Sequence, residues 1–241
     1  MKKILILGVS MLCMTFTYAQ WGKKIKGNGN VITENRNTGS YDAIYIAGFF
    51  DVELIDGKEG KLTIKGEENL LEHIVTEVKD GKLVIKVEKG TNLSPSSWKQ
   101  GIFITVPVES VDAVTLSGSG DIVGKKTIET NNFKTDISGS GDISLSVTSN
   151  SVKATISGSG DITLNGKTSD FDVRVSGSGD IKAYGLSAEN VTANVSGSAD
   201  IEVTATEMIQ ARVSGSGDIT YRGNPKKIDS KSSGSGDISK G

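Results

Sequence analysis

Ser-Gly-Ser-Gly-Asp-Ile is written six times and Ser-Gly-Ser-Ala-Asp-Ile once, beginning at Ser117, Ser138, Ser157, Ser176, Ser196, Ser214 and Ser233. Successive copies stand 21, 19, 19, 20, 18 and 19 residues apart. A motif that returns at the length of one short coil, with free sequence between copies, specifies a stacked β-solenoid rather than a flexible linker. The residues around each copy alternate. Phe133, Thr135, Ile137, Gly139, Gly141, Ile143, Leu145 and Val147 share one parity, while Lys134, Asp136, Ser138, Ser140, Asp142, Ser144 and Ser146 share the other. A two-residue period sends the first set inward and the second outward along an extended chain.

That parity places the motif glycines inside, where a narrow bend leaves no room for a side chain. Ala199 replaces the second glycine of the fifth copy, which implies ordinary β geometry there and a requirement that is mainly steric. No helix start follows the motif, so it does not read as a phosphate loop. Coils stacked ~4.8 Å apart would make a rod of roughly 30 Å. Its motif serines are expected to exchange hydrogen bonds from coil to coil. Asp121, Asp142, Asp161, Asp180, Asp200, Asp218 and Asp237 should form one column, in which neighbouring carboxylates repel by about 1 kcal/mol per pair in water. The expected offset is local, each carboxylate accepting backbone N–H groups near its own bend as in an Asx turn. Calcium bridging the coils is the alternative metal reading, and it is disfavoured because one carboxylate per coil is a poor supply of the about six to eight oxygens that Ca²⁺ takes. No other metal or cofactor is expected.

Residues 1–19 read as a secretory signal: a basic Met1-Lys2-Lys3 start, an apolar run from Ile4 to Thr17, and Thr17-Tyr18-Ala19 before a cut at Gln20. Cys13, the one cysteine, would leave with it. The mature chain would then use neither disulfides nor thiolate chemistry. Loss of Lys2 and Lys3 takes the 27 basic side chains to 25 against 29 acidic ones, a formal charge of -4. This gives no support to a nucleic-acid partner or a polybasic membrane patch. No later stretch is apolar enough to be a transmembrane segment. With 30 glycines and only 5% aromatics, the core has to be thin and built from Ile, Val and Leu.

Residues 20–110 lack the motif yet carry a trace of it. Aligning Ile46 with Ile137 sets Gly48 on Gly139, Phe50 on Gly141, Asp51 on Asp142, Val52 on Ile143 and Leu54 on Leu145. Further strands are expected at Lys61–Lys65, Leu83–Val87 and Gly101–Val106, with Pro107 at a strand end. The polar stretch Thr91–Ser97 reads as a separator and Leu70–Val78 as a connection or bulged strand. Phe49, Phe50, Trp98 and Phe103 are expected to cap or thicken one end. The division is therefore signal 1–19, an irregular β portion or cap at 20–110, and a regular solenoid at 111–241.

The secretory start, Gly48-Phe49-Phe50-Asp51-Val52-Glu53-Leu54, Leu83-Val84-Ile85-Lys86-Val87, Ile104-Thr105-Val106-Pro107 and the run of motif copies together resemble the Bacteroidetes family of auto-transporter adhesin head GIN domains. The resemblance spans roughly residues 40 to 239. It implies an all-β fold, a right-handed parallel β-solenoid with coils of 18–21 residues, in a protein exported to the periplasm, the outer-membrane surface or the medium. It carries over no catalytic residues.

The chemistry open to such a chain is narrow. His73 is the single histidine, so neither a histidine zinc cluster nor a repeated Ser-His-Asp triad can be built. The column aspartates share one environment, and nothing in the sequence pushes their pKa values apart as paired acid and base would need. The expectation is a non-enzymatic binding module, adhesin-like, contacting a glycan, an envelope polymer or a protein along an elongated face. A passive structural or assembly component is the alternative, and a polysaccharide-active enzyme is a weaker one. Exposed aromatics would favour glycan binding, and Tyr184 and Tyr221 are the candidates, read on the inward parity of Leu145 and so equally open to a packing role.

Overall fold

The computed structural model describes residues 22–97 and 100–241; the signal segment, Cys13 and Trp98 lie outside the described residues. Long strands run from each motif isoleucine to the second residue of the next motif: Ile122–Gly139, Ile143–Gly158, Ile162–Gly177, Ile181–Gly197 and Ile201–Gly215. The residues left between them, such as Ser140–Asp142, turn the chain. Each strand pairs in parallel with those one coil before and after it, motif on motif, so that Ile122, Ile143, Ile162, Ile181, Ile201 and Ile219 form one column. The last coil is split into Ile219–Arg222 and Lys227–Gly234, followed by Ile238–Lys240. Backbone pairing continues through the bends, with Ser140 N–H donating to Gly118 O at 2.8 Å and Ile143 N–H to Asp161 O at 2.9 Å. The expected parallel β-solenoid is the fold, at about 7 turns.

The alternation sets the core. Leu116, Ile137, Ile156, Val175, Val195 and Val213 stack in register, as do Phe133, Val152, Phe171, Val191 and Ile209, and all are buried. Midway between motifs a second corner is fixed by hydroxyls. Ser149 Oγ donates to Asn131 O at 3.0 Å in the previous coil and to Ser151 O at 2.8 Å, and Thr168 Oγ1 repeats this with Asn150 O at 3.2 Å and Asp170 O at 3.0 Å.

The two motif glycines answer different demands. The second (Gly120, Gly141, Gly160, Gly179, Gly217, Gly236) is needed for space: a Cβ would lie 1.9–2.0 Å from the carbonyl oxygen one coil earlier. The first (Gly118, Gly139, Gly158, Gly177, Gly197, Gly215, Gly234) is only half inward in the regular coils and stands at φ of +128° to +150°. Its requirement is conformational as well as steric. The steric reading drawn from Ala199 therefore holds for the second glycine alone.

The motif register extends into the first part. Ala43–Gly48 pairs with Ala113–Gly118 so that Gly48, Gly118 and Gly139 align, and Val52 lies on Ile122. Phe50, fully buried, takes the place of the second glycine. Lys82–Val87 and Phe103–Val108 extend the two walls in parallel. Antiparallel strands then finish them: Ile74–Lys79 on the first, and Lys61–Glu67 followed by Val31–Asn37 on the second.

Three expectations fail in this part. Leu70–Val78, expected as a connection or bulged strand, divides into the end of one helical turn, Glu68–Leu71, and the strand Ile74–Lys79; the turn buries Leu70 and Leu71, and Arg36 Nη2 donates to Leu71 O at 2.7 Å. Thr91–Ser94 is a strand, pairing with Lys23–Lys26. Pro107 lies inside its strand, opposite Ile55; the outer neighbour pairs only as far as Thr105, so no ladder bond is lost to the missing N–H.

Candidate binding faces of the solenoid

The aspartates form the expected column, but their partners are not local. Asp121 Oδ1 accepts the backbone N–H of Asp142 at 3.1 Å, Asp142 that of Asp161 at 2.9 Å, Asp161 that of Asp180 at 2.9 Å, Asp180 that of Asp200 at 2.9 Å, Asp200 that of Asp218 at 2.9 Å, and Asp218 that of Asp237 at 2.7 Å. Each carboxylate thus bonds one coil ahead, and the Asx-turn expectation is replaced by a ladder between coils. Lys182 Nζ reaches Asp161 Oδ2 at 2.6 Å. Burial alone would raise Asp161, but Lys182 and the Asp180 N–H hold it below the usual carboxylate range. Asp161 in turn holds Lys182 above the usual lysine range despite its partial burial. Among the described residues no three His, Cys, Asp or Glu side chains gather as a metal site.

The motif serines make two outward columns. Ser138, Ser157, Ser176, Ser196, Ser214 and Ser233 occupy the first motif position, and Ser140, Ser159, Ser178, Ser198, Ser216 and Ser235 the third; all are exposed. Among the described residues these hydroxyls do not hydrogen-bond to one another; exposed on the surface, they are left to water. What results is a regular strip of solvent-facing donors and acceptors. Beside the first serine column lies an open groove of about 410 Å³, lined by Thr155, Arg174, Asn194, Arg212 and Lys231 on its other side.

A second groove, about 500 Å³, lies where the motif column enters the first part. Its lining includes Phe103, Asp51, Glu53, Lys65 and Asp121. Phe103 is 47% exposed, because it takes the outward parity of its strand while Ile104 and Val106 fill the core. Burial first, and then the Asp121 charge, push the Asp51 carboxyl up, against a lowering by the Asp121 N–H. Asp51 thus differs from Asp161, whose carboxyl is held low.

The sequence profile of the family described as "Putative auto-transporter adhesin, head GIN domain" matches residues 40–225. The chain belongs to this family. Solved structures share its fold. A "putative adhesin" from Bacteroides fragilis superposes with a TM-score of 0.82 at 26% identity, covering 90% of this chain and 99% of its own. A "putative lipid binding protein" from Parabacteroides distasonis gives 0.75 at 28% identity, covering 91% and 100%. A "putative adhesin" from Parabacteroides merdae, at 20% identity, gives 0.68 over 91% and 99% and speaks for the fold alone. No curated protein matches the chain.

On this head GIN scaffold the two tyrosines part company. Tyr221 sits inward opposite Val203 and is 9% exposed, a packing residue. Tyr184 does not share its parity. Three residues after the inward Ile181, it follows Ala183 onto the outward parity and is half-buried, with the Arg222 guanidinium 3.9 Å above its ring. The exposed aromatic beside a groove is Phe103. Its outward parity was readable from Phe103-Ile104-Thr105-Val106, but the groove arises from the fold.

Proposed function

We propose that the chain is an exported, non-enzymatic binding module of the cell envelope, adhesin-like, that contacts a glycan along the long face of its solenoid. The observation that carries this reading is the strip of exposed serine hydroxyls, repeated once per coil and, among the described residues, bonded to no protein group. Hydroxyls at a fixed spacing can each donate and accept, which matches the repeating hydroxyls of a polymer. Half-exposed Tyr184 and the Phe103 groove add aromatic surface of the kind against which a sugar's apolar face packs. Membership of a family described as adhesin supports a surface role, and the relative described as lipid binding leaves another ligand class to compete with it.

A glycan array probed with the purified chain tests the reading. Binding is expected, and it should weaken when Ser176, Ser196 and Ser214 are changed together to Ala and when Phe103 is changed to Ala. An empty array, with binding only to lipid vesicles, would overturn it.

A further inference from the structure

We infer that the groove beside the first serine column takes an acidic polysaccharide, whose carboxylate or sulfate groups are held by Arg174, Arg212 and Lys231. This deepens the glycan reading and rests on it. Parallel register sets Thr155, Arg174, Asn194, Arg212 and Lys231 in one column, one coil apart. Two residues further along each strand, on the same side, stand Ser157, Ser176, Ser196, Ser214 and Ser233. The groove is the channel between these columns, so it runs along the solenoid axis.

Charge selects the occupant. From Thr155 to Lys231 this column carries three cations and no carboxylate, in a chain whose formal net charge is -2. Asp172 of the adjoining column accepts from Arg174 Nε at 3.2 Å and Nη2 at 3.1 Å, and Asp229 accepts from Arg212 Nη2 at 2.5 Å while Arg212 Nη1 donates to the carbonyls of Ala211 and Asp229 at 2.9 and 3.0 Å. Such exposed ion pairs are weak and exchangeable, and a guanidinium offers five donors. Its fork suits a carboxylate or sulfate held through two parallel bonds. Lys231 belongs to no ion pair among the described residues.

Spacing narrows the class further. Arg174 and Arg212 are two coils apart, about 10 Å at the strand spacing. An extended sugar chain advances by nearly one strand spacing per residue. A polymer with one acidic group on every second sugar therefore brings a charge to each arginine, with Asn194 and the serines facing the hydroxyls between. A nucleic acid would present a phosphate on every residue and would call for stacking aromatics, which this groove lacks.

The test is calorimetric titration of the full chain with a hyaluronan octasaccharide, chondroitin sulfate, neutral dextran and a single-stranded oligonucleotide. Both acidic glycans should bind, more weakly as salt is raised. Changing Arg174→Gln and Arg212→Gln together should lower their affinity at least about tenfold (about 1.4 kcal/mol). Lys231→Gln should lower it less, and Lys58→Gln with Lys61→Gln, remote from the groove, should leave it unchanged. Melting curves check that each variant is folded. Dextran binding as tightly as hyaluronan, or acidic binding untouched by the arginine changes, would overturn the inference and leave the glycan reading standing. Equal binding of the oligonucleotide would also overturn it, as unselective attraction of polyanions. Failure of every glycan would remove both.

Discussion

The Asp142 carboxylate accepts the backbone N–H of Asp161 at 2.9 Å, one coil further along the solenoid. Repeated from Asp121 to Asp237, this bond turns a column of like charges into a device that fixes register. A carboxylate bonded to an N–H is stabilised as the anion, which offsets the repulsion from its neighbours. The sequence already places one aspartate per coil. It does not show that the partner lies in the next coil, because that depends on how far the bend projects along the axis.

Asp161 tests the ladder. Asp161→Asn should be mild, since an amide oxygen can still accept the Asp180 N–H, whereas Asp161→Ala should cost about 1 kcal/mol or more by removing the acceptor. Because the bonds come from the protein itself, EDTA should leave the melting temperature unchanged. A saturable rise of several degrees on adding millimolar calcium to stripped protein would instead make the column a metal site.

Glycine substitutions should rank by which demand they violate. Gly177→Val puts a branched residue at φ +139°, with its Cβ 2.2 Å from Gly158 O, and should destabilise by about 4 kcal/mol or prevent folding. Gly217→Ala meets only crowding, but its Cβ would lie 1.9 Å from Ala199 O and 2.7 Å from Ala199 N. The presence of Ala199 shows that one coil can shift to admit a methyl group; a second methyl group directly above it should still cost about 1–3 kcal/mol. Equal melting shifts for the two variants would refute the distinction.

The regular coils were legible because one period and one motif govern them: Ile46, Leu116 and Ile137 fall in the column that alignment alone suggests. The first part was harder to read because its strands change direction. Val31–Asn37 alternates weakly and is tied down from afar, through Arg36 to Leu71 and through pairing with Lys61–Glu67. Tyr184 differs from Tyr221 by one position: it stands three residues after its motif isoleucine and Tyr221 two, and a two-residue period sends the two side chains to opposite faces. Arg174, Asn194, Arg212 and Lys231 become a surface only when 18–20 residues of chain separate each from the next, a juxtaposition that local patterning does not weigh.

Thr135 offers a stabilising substitution. It lies fully buried between Val114 and Ala154 in its column, and its Oγ1 has no hydrogen-bond partner. Thr135→Val replaces an unsatisfied hydroxyl with a methyl of similar shape. Stability should rise by about 1 kcal/mol, seen as a higher denaturant midpoint at unchanged slope. A fall in the midpoint would mean that the hydroxyl is bonded, for instance to an ordered water.

Glu67 should set the acid response of the first part. Its buried carboxylate accepts the Gly29 N–H through Oε1 at 2.5 Å and the Ser96 N–H through Oε2 at 2.8 Å, joining the segment after Lys23–Lys26 to the one after Thr91–Ser94. Burial would raise this carboxyl, but the bonds from Ser96 and Gly29 hold it below its usual value of 4.5. A depressed folded-state pKa stabilises above the unfolded pKa and is lost as pH falls through the folded value. Melting temperature should therefore drop as pH is lowered from about 5 into the range below the ordinary carboxylate value. Glu67→Gln presents an amide NH₂ to one of the two N–H donors, so at neutral pH it should cost about 2 kcal/mol. The gap between variant and wild type should narrow as acid protonates Glu67, and a gap that stays constant through that window would show that the carboxylate charge contributes nothing.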